Sequence, residues 1–374
     1  MSAAGEHQRI AGLDLWRAVL MLAGLLLHGS IWLGPHPVFG LIDIVSQSFR
    51  MGVFFAVSGF LGARALARRG PRHWLRERAV QLGVPALFGI SVISPLMWLV
   101  TVAHAEAGQP APLLFEWHHL WFLYGLLLYS GVVAAGYRSA RLRRWCGLVR
   151  ARLVGSDRHM RPALLLMTLA SASLLAGMAA TMQSVLPHVY AAAFNKAELI
   201  AAYLPMFLLG CALASSAALR DRVLAVRGVS VVLVTLLVAC VVAVVSPAYL
   251  PNAWAVAINA KVRFVGATLG PPFAFVAVLR SALSITHVGA MTRRWSDASY
   301  TIYLLHVPML SIGNALLVRT PLHPLAIYAV SVTGAGMTCY LLHVHVVRRV
   351  AALALLLNGR VALPPAPLRV AVAE

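Results

Sequence analysis

The chain has 374 residues, 60% of them hydrophobic and only 11% charged, with a mean hydropathy of +0.81. Soluble domains carry roughly a quarter charged residues, so this composition excludes them and indicates an integral membrane protein. The formal charge of +20 does not point to nucleic acid, because the 31 basic residues fall in short runs between apolar stretches and gather on no single soluble face.

Apolar runs of about 18 residues or more suffice to cross roughly 30 Å of hydrocarbon. Ten are predicted, over 13–33, 47–67, 79–103, 119–137, 162–182, 198–216, 229–247, 262–281, 298–318 and 325–347. Gly270, Pro271 and Pro272 interrupt the eighth, which predicts a kink or a half-helix facing protein. With the N-terminus in the cytoplasm, 25 of the 31 basic residues fall on the inner side, so the positive-inside rule puts both termini there. Arg17 breaks the first apolar stretch and no small-residue cleavage pattern follows, so the first span is expected to be retained. Cys146, Cys211, Cys240 and Cys339 form no promising disulfide pair and no zinc spacing, and no metal is expected. The outer loops are short. The expected fold is therefore all-α, a polytopic integral membrane helix bundle of about ten transmembrane helices with both termini cytoplasmic. It forms a single domain over residues 1–350, followed by a cytoplasmic tail over 351–374.

The first span, LDLWRAVLMLAGLLLHGSIW, contains Arg17 and His28. A charge at mid-bilayer costs about 2.5–3.5 kcal/mol, so such a pair needs a reason. Eleven residues make about three helical turns, which puts both on one face roughly 16 Å apart. That face carries a cation near the inner surface and an imidazole in the outer half, and Asp14 lies one turn before Arg17, placed to pair with it. The plainer alternative is that Arg17 snorkels to headgroups and His28 bonds a neighbouring helix.

The second span, QSFRMGVFFAVSGFLGAR, starts with Arg50 at the outer edge, either an interfacial anchor or a partner for an oxyanion. Its Ser58-Gly59 pair reads as close helix packing and not as a nucleophile. Arg68, Arg69, Arg72, Arg76 and Arg78 follow on the inner side, a topology signal that would also attract a phosphorylated donor. The basic loop from Arg138 to Arg161 is explained by lipid headgroups. Before the fourth span, FEWHHLWFLYG clusters Glu116, His118 and His119 with Trp117 and Trp121, more than an aromatic belt requires. In DASYTIYLLHVPML, His306 lies mid-membrane ahead of Pro308, which loosens the helix. His306 is either an interhelical hydrogen-bonder or one of three histidines, with His28 and His119, that converge in the outer half.

These segments resemble the membrane-bound acyltransferase-3 family, whose hallmark is an Arg, ten residues, then His in the first span. LDLWRAVLMLAGLLLHGS, SFRMGVFFAVSGF, RERAVQLGVPALFG, HLWFL, YLPMFLLGCAL and ASYTIYLLHVPML occur in family order, over about residues 9–350. The SFRMxVFFxxSG and HLWFL segments look most like the branch that succinylates periplasmic glucans. Gln81 departs from the second arginine common in the family's RxxRL loop motif. The resemblance implies transfer of an acyl group from cytosolic acyl-CoA, succinyl-CoA first and acetyl-CoA second, to hydroxyls of an exported glucan or other glycan. The setting is the bacterial inner membrane, with no permanently bound cofactor. Arg17, Arg68, Arg69, Arg72, Arg76 and Arg78 then face the donor, while Glu116, Trp121 and Asp14 are assigned to the substrate. His28 acts as general base or forms an acyl-histidine, with His119 beside it and Arg50 or His306 at the oxyanion. Expected partners are acyl-CoA, the glycan and membrane lipid, with no nucleic acid. Other readings are an O-acetyltransferase of a surface polysaccharide, a transporter of an anionic solute, which would also use intramembrane Arg and His, and a flippase-like scaffold.

Overall fold

A computed structural model describes residues 10–31, 33–103, 117–155 and 191–360. Residues 71–100 show how the sequence shapes its helices. They contain α3 (Pro71–Arg78), α4 (Val84–Phe88) and α5 (Ser94–Ala103), joined by π-helical turns over Ala79–Gly83 and Gly89–Ile93. Each π turn directly precedes a proline neighbourhood, Pro85 or Pro95, where a missing N–H leaves the carbonyl four residues back without its helical donor. For Pro85 that carbonyl belongs to Gln81, and the Tyr300 hydroxyl donates to it at 3.0 Å.

Around this segment stand α1 (Ala11–Ser30), α2 (Pro37–Arg69), α6 (Trp121–Arg138), α7 (Ala140–Gly155), α8 (Ala191–Ser215) and α9 (Ala217–Leu224). The rest is α10 (Val229–Val245), α11 (Asn252–Ser284), α12 (Ala290–Leu317), α13 (Pro324–Leu342) and α14 (Ala351–Asn358). Among the described residues there is no strand. Nine helical segments there are long and apolar enough to cross a membrane, matching nine of the ten expected spans, and the chain is a multi-pass membrane protein. The expected span over 162–182 lies outside the described residues. Two helices begin on the same device: His36 and His323 each accept a backbone N–H two residues ahead, with Pro37 and Pro324 at the first helical position.

Helix α2 is the centre of the bundle, packed against α1, α8, α10 and α11. Its Phe55 and Phe60 are fully buried with Phe207, Tyr129 and Phe275. The approach of α8 is possible only because glycines face each other's backbones. A Cβ on Gly59 would lie 2.1 Å from the Phe207 carbonyl oxygen, and one on Gly210 1.9 Å from that of Ala56. Close packing is thus what Gly59 does, as the Ser58-Gly59 pair suggests. Of the kink or half-helix expected at Gly270–Pro272, the half-helix does not form. Helix α11 runs through all three, which are buried, and a Gly270 Cβ would stand 2.0 Å from the Ser48 carbonyl oxygen of α2. Packing against protein on that side supports the proline-containing turn. At the periphery, α10 buries only Val229, Cys240 and Ala243 and turns Val231, Val234, Leu237, Val238 and Val242 outward, the surface expected of a helix bathed in lipid. The four cysteines are free thiols.

The segment 351–358, expected as part of a tail, forms helix α14, which packs Ala354 and Leu357 against the bundle.

Candidate active site

His28 from α1, His119 from the turn that opens α6 and His306 from α12 come together. Ring centroids of His28 and His306 are 5.2 Å apart, those of His119 and His306 5.1 Å, and those of His28 and His119 6.3 Å. His119 and His306 are almost fully buried, while His28 is half-buried and lines a cavity of about 620 Å³.

A proline sets the orientation of His119. Pro308 has no N–H for the carbonyl of Leu304, four residues earlier, and His119 Nε2 takes its place at 3.2 Å. A carbonyl only accepts, so Nε2 carries the proton and the buried Nδ1 keeps its lone pair. Tyr303 holds the same turn from the other side, donating its hydroxyl to the His119 carbonyl at 2.6 Å. By the same argument His306 Nδ1–H donates to the carbonyls of Tyr303 and Ile302, at 2.6 and 3.1 Å, and its buried Nε2 is left as an acceptor. Both histidines therefore present unprotonated nitrogens with no hydrogen-bond partner among the described residues. No set of three or more His, Cys, Asp or Glu side chains there is arranged to hold a metal ion.

Arg50 reaches the cluster across Gly24, one turn before His28. A Cβ at Gly24 would meet Arg50 Nη1 at 2.9 Å and His306 Nε2 at 3.9 Å, so the missing side chain is what admits the guanidinium. Ser46 anchors it, accepting from Arg50 Nε at 2.8 Å. The cavity is also lined by Trp121, Tyr203, Lys196, Glu198 and Arg263, and Arg263 is held by Asp43 at 2.7 Å.

A second cavity, of about 230 Å³, opens toward the end of the bundle where the basic loops lie. Arg17, Arg78, Tyr300, Ser58 and Gln81 line it, and the Arg78 guanidinium sits 5.8 Å from the centre of the Trp74 ring. Phe122 belongs to both cavities. Its ring packs edge-on to Phe54 at 4.6 Å and against Tyr303 at 5.7 Å, so one aromatic layer stands between the arginine pocket and the histidine pocket.

A profile described as an acyltransferase domain, that of the acyltransferase-3 family, matches residues 10–344, nearly the whole described bundle. The chain belongs to the acyltransferase-3 family. Among curated proteins it is similar to the glucans biosynthesis protein C of Salmonella typhi and of Salmonella typhimurium, 28% identical over 141 residues in each case. These matches cover 32% of this chain and 37% of each relative. The corresponding protein of Salmonella paratyphi B is 27% identical over the same length. The chain thus spans little more than a third of the curated relatives it matches. No solved structure matches.

For this acyltransferase the residues expected from sequence fall into three groups. His28, His119, Arg50 and Trp121 line the larger cavity, with His306 packed on His28 and His119 behind its lining, and Arg17 and Arg78 share the smaller one. Arg68, Arg69, Arg72 and Arg76 are exposed and line neither cavity; Arg69 pairs with Glu77. Asp14 lines neither, although its carbonyl accepts from the Ser296 hydroxyl at 3.2 Å. Glu116 lies outside the described residues. Sequence reasoning missed Tyr303, Tyr300 and Phe122. The two tyrosines lie within the same SYTIYLLH stretch as His306, three residues apart and thus on one helix face, a signal that was available.

Proposed function

We propose that this acyltransferase moves an acyl group, succinyl by preference, from cytosolic acyl-CoA to a hydroxyl of an exported glucan at the bacterial inner membrane. The observation that carries this reading is the pair of cavities at opposite ends of one bundle, arginine-lined at the basic end and histidine-lined beyond it, sharing the Phe122 wall. The positive-inside rule assigns the basic end to the cytosol, where CoA is found. Arg17 and Arg78 suit its phosphates, because the guanidinium fork matches phosphate geometry.

In this mechanism the donor's thioester is presented past Phe122 to the histidine pocket, and the glucan hydroxyl enters from the other side. His28 takes the hydroxyl proton as the oxygen attacks the thioester carbon. Negative charge develops on the former carbonyl oxygen, and Arg50 stabilises it. The neutral His306 presents an acceptor nitrogen, so Arg50 is the better donor for that role. Collapse of the tetrahedral adduct breaks the carbon–sulfur bond, expelling CoA thiolate into the arginine pocket while the glucan leaves as its ester. Lys196, on the wall of the histidine pocket, offers a cation for a succinyl carboxylate. The partial similarity to glucans biosynthesis protein C supports a glucan as acceptor.

Purified full-length chain should release free CoA from succinyl-CoA only when periplasmic glucan is added, and the glucan should gain units of about 100 Da, the mass of the covalent succinyl group. Acetyl-CoA as the faster donor would shift the reading to O-acetyl transfer. Movement of an anionic solute without thioester consumption would overturn it in favour of transport.

A further inference from the structure

The arginine pocket is completed by a segment of chain that lies beyond the family match. Asn358 and Arg360 line it beside Arg17 and Arg78, whereas the matched region ends at residue 344. Three local features fix this segment. Helix α14 stops at Gly359, whose positive φ of 60° closes the helix with bonds from Gly359 N–H to the Leu355 carbonyl at 2.8 Å and from Arg360 N–H to that of Ala354 at 3.1 Å. Gly359 also lies flat on Gln81, where any Cβ would come within 2.3 Å of the Gln81 Cα. Asn358 is tied to α12: the Thr301 hydroxyl donates to its Oδ1 at 2.9 Å and accepts from His343 Nδ1–H at 2.7 Å. The backbone that carries Arg360 is thereby set against the pocket wall.

The Arg360 side chain, in contrast, is only loosely held. Its Nη2 lies 3.8 Å from Asp297 Oδ1, with 43% and 52% of the two side chains exposed. An ion pair so exposed is weak and easily exchanged for a better anion. Three arginines line this one pocket, and guanidinium forks at that spacing suit a ligand that presents several phosphate oxygens. We propose that Arg360 is a third donor-binding arginine, which leaves Asp297 to hold a phosphate of the CoA moiety while α14 serves as its mount. The proposal rests on the acyl-CoA reading given above.

The test is CoA binding to the detergent-solubilised full-length chain, by calorimetry, for wild type, Arg360→Gln, Arg360→Lys and the surface control Arg349→Gln. Loss of one charge-assisted contact should weaken CoA binding about tenfold in Arg360→Gln. Arg360→Lys should stay within about threefold of wild type, since it retains the charge and loses only the fork, and Arg349→Gln should bind as wild type does. Wild-type protein that binds no CoA would overturn the acyl-CoA reading and this proposal with it. If wild type binds CoA and Arg360→Gln binds equally well, the Arg360 assignment alone is wrong. Equal weakening in Arg349→Gln would also overturn it, because the effect would then follow from net charge.

Discussion

His28→Ala is expected to lower acyl transfer by 10²–10⁴-fold, the usual contribution of a positioned general base, while the protein still folds and still binds CoA. The side chain is half-buried and faces the larger cavity, so its removal enlarges a space already present and breaks no hydrogen bond among the described residues. The arginine pocket lies on the far side of Phe122, so donor affinity should be unchanged. Because the cavity measures about 620 Å³, imidazole added to the buffer should enter and restore part of the rate. Turnover and CoA binding measured on one purified preparation would check both halves. Full activity in His28→Ala would remove His28 from the chemistry, whether as base or as acyl carrier.

Gly210→Leu is expected to abolish the folded protein. The Cβ would sit 1.9 Å from the Ala56 carbonyl oxygen and 2.8 Å from the backbone nitrogen of Phe60, and backbone cannot rotate away as a side chain would. Helices α2 and α8 would have to separate, and α2 also carries Arg50 and packs on α1, α10 and α11. Overpacking a core commonly costs about 1–3 kcal/mol, and more when only backbone stands in the way. The expected readout is loss of monodisperse protein after detergent extraction, with Gly131→Leu as control, since that glycine has open space beside it. Normal yield of Gly210→Leu would contradict the close helix contact.

Hydropathy made the bundle legible because a span is a property of one segment, and nine of the ten expected spans recur as helices. The Arg17–His28 spacing was informative for the same reason: two residues on one helix have a distance that the helix itself sets. The partners of His28 were harder. Periodicity tells which face His306 occupies and not which helix that face meets. His119 was placed by its Trp-rich surroundings, yet the device that aims it, the carbonyl freed by Pro308, joins residues 185 positions apart. The exposed Arg68, Arg69, Arg72 and Arg76 had the same composition signal as Arg78, and only the packing of Trp74 and Gly62 around Arg78 tells them apart. Arg360 gave no signal, because its role depends on where α14 folds back.

The thin aromatic layer at Phe122 has an electrical consequence. Where polar vestibules approach from both faces, a membrane's voltage falls mainly across the material left between them, here little more than the rings of Phe54 and Phe122. A charge crossing the full drop exchanges about 2.3 kcal/mol per 100 mV with the field. An anionic acyl group leaving a negatively polarised cytoplasm is driven outward by that amount, whereas a neutral acetyl group is indifferent to it. If the acyl group transferred is succinyl, as proposed above, its passage draws on the membrane potential as well as on the bond energy of its donor.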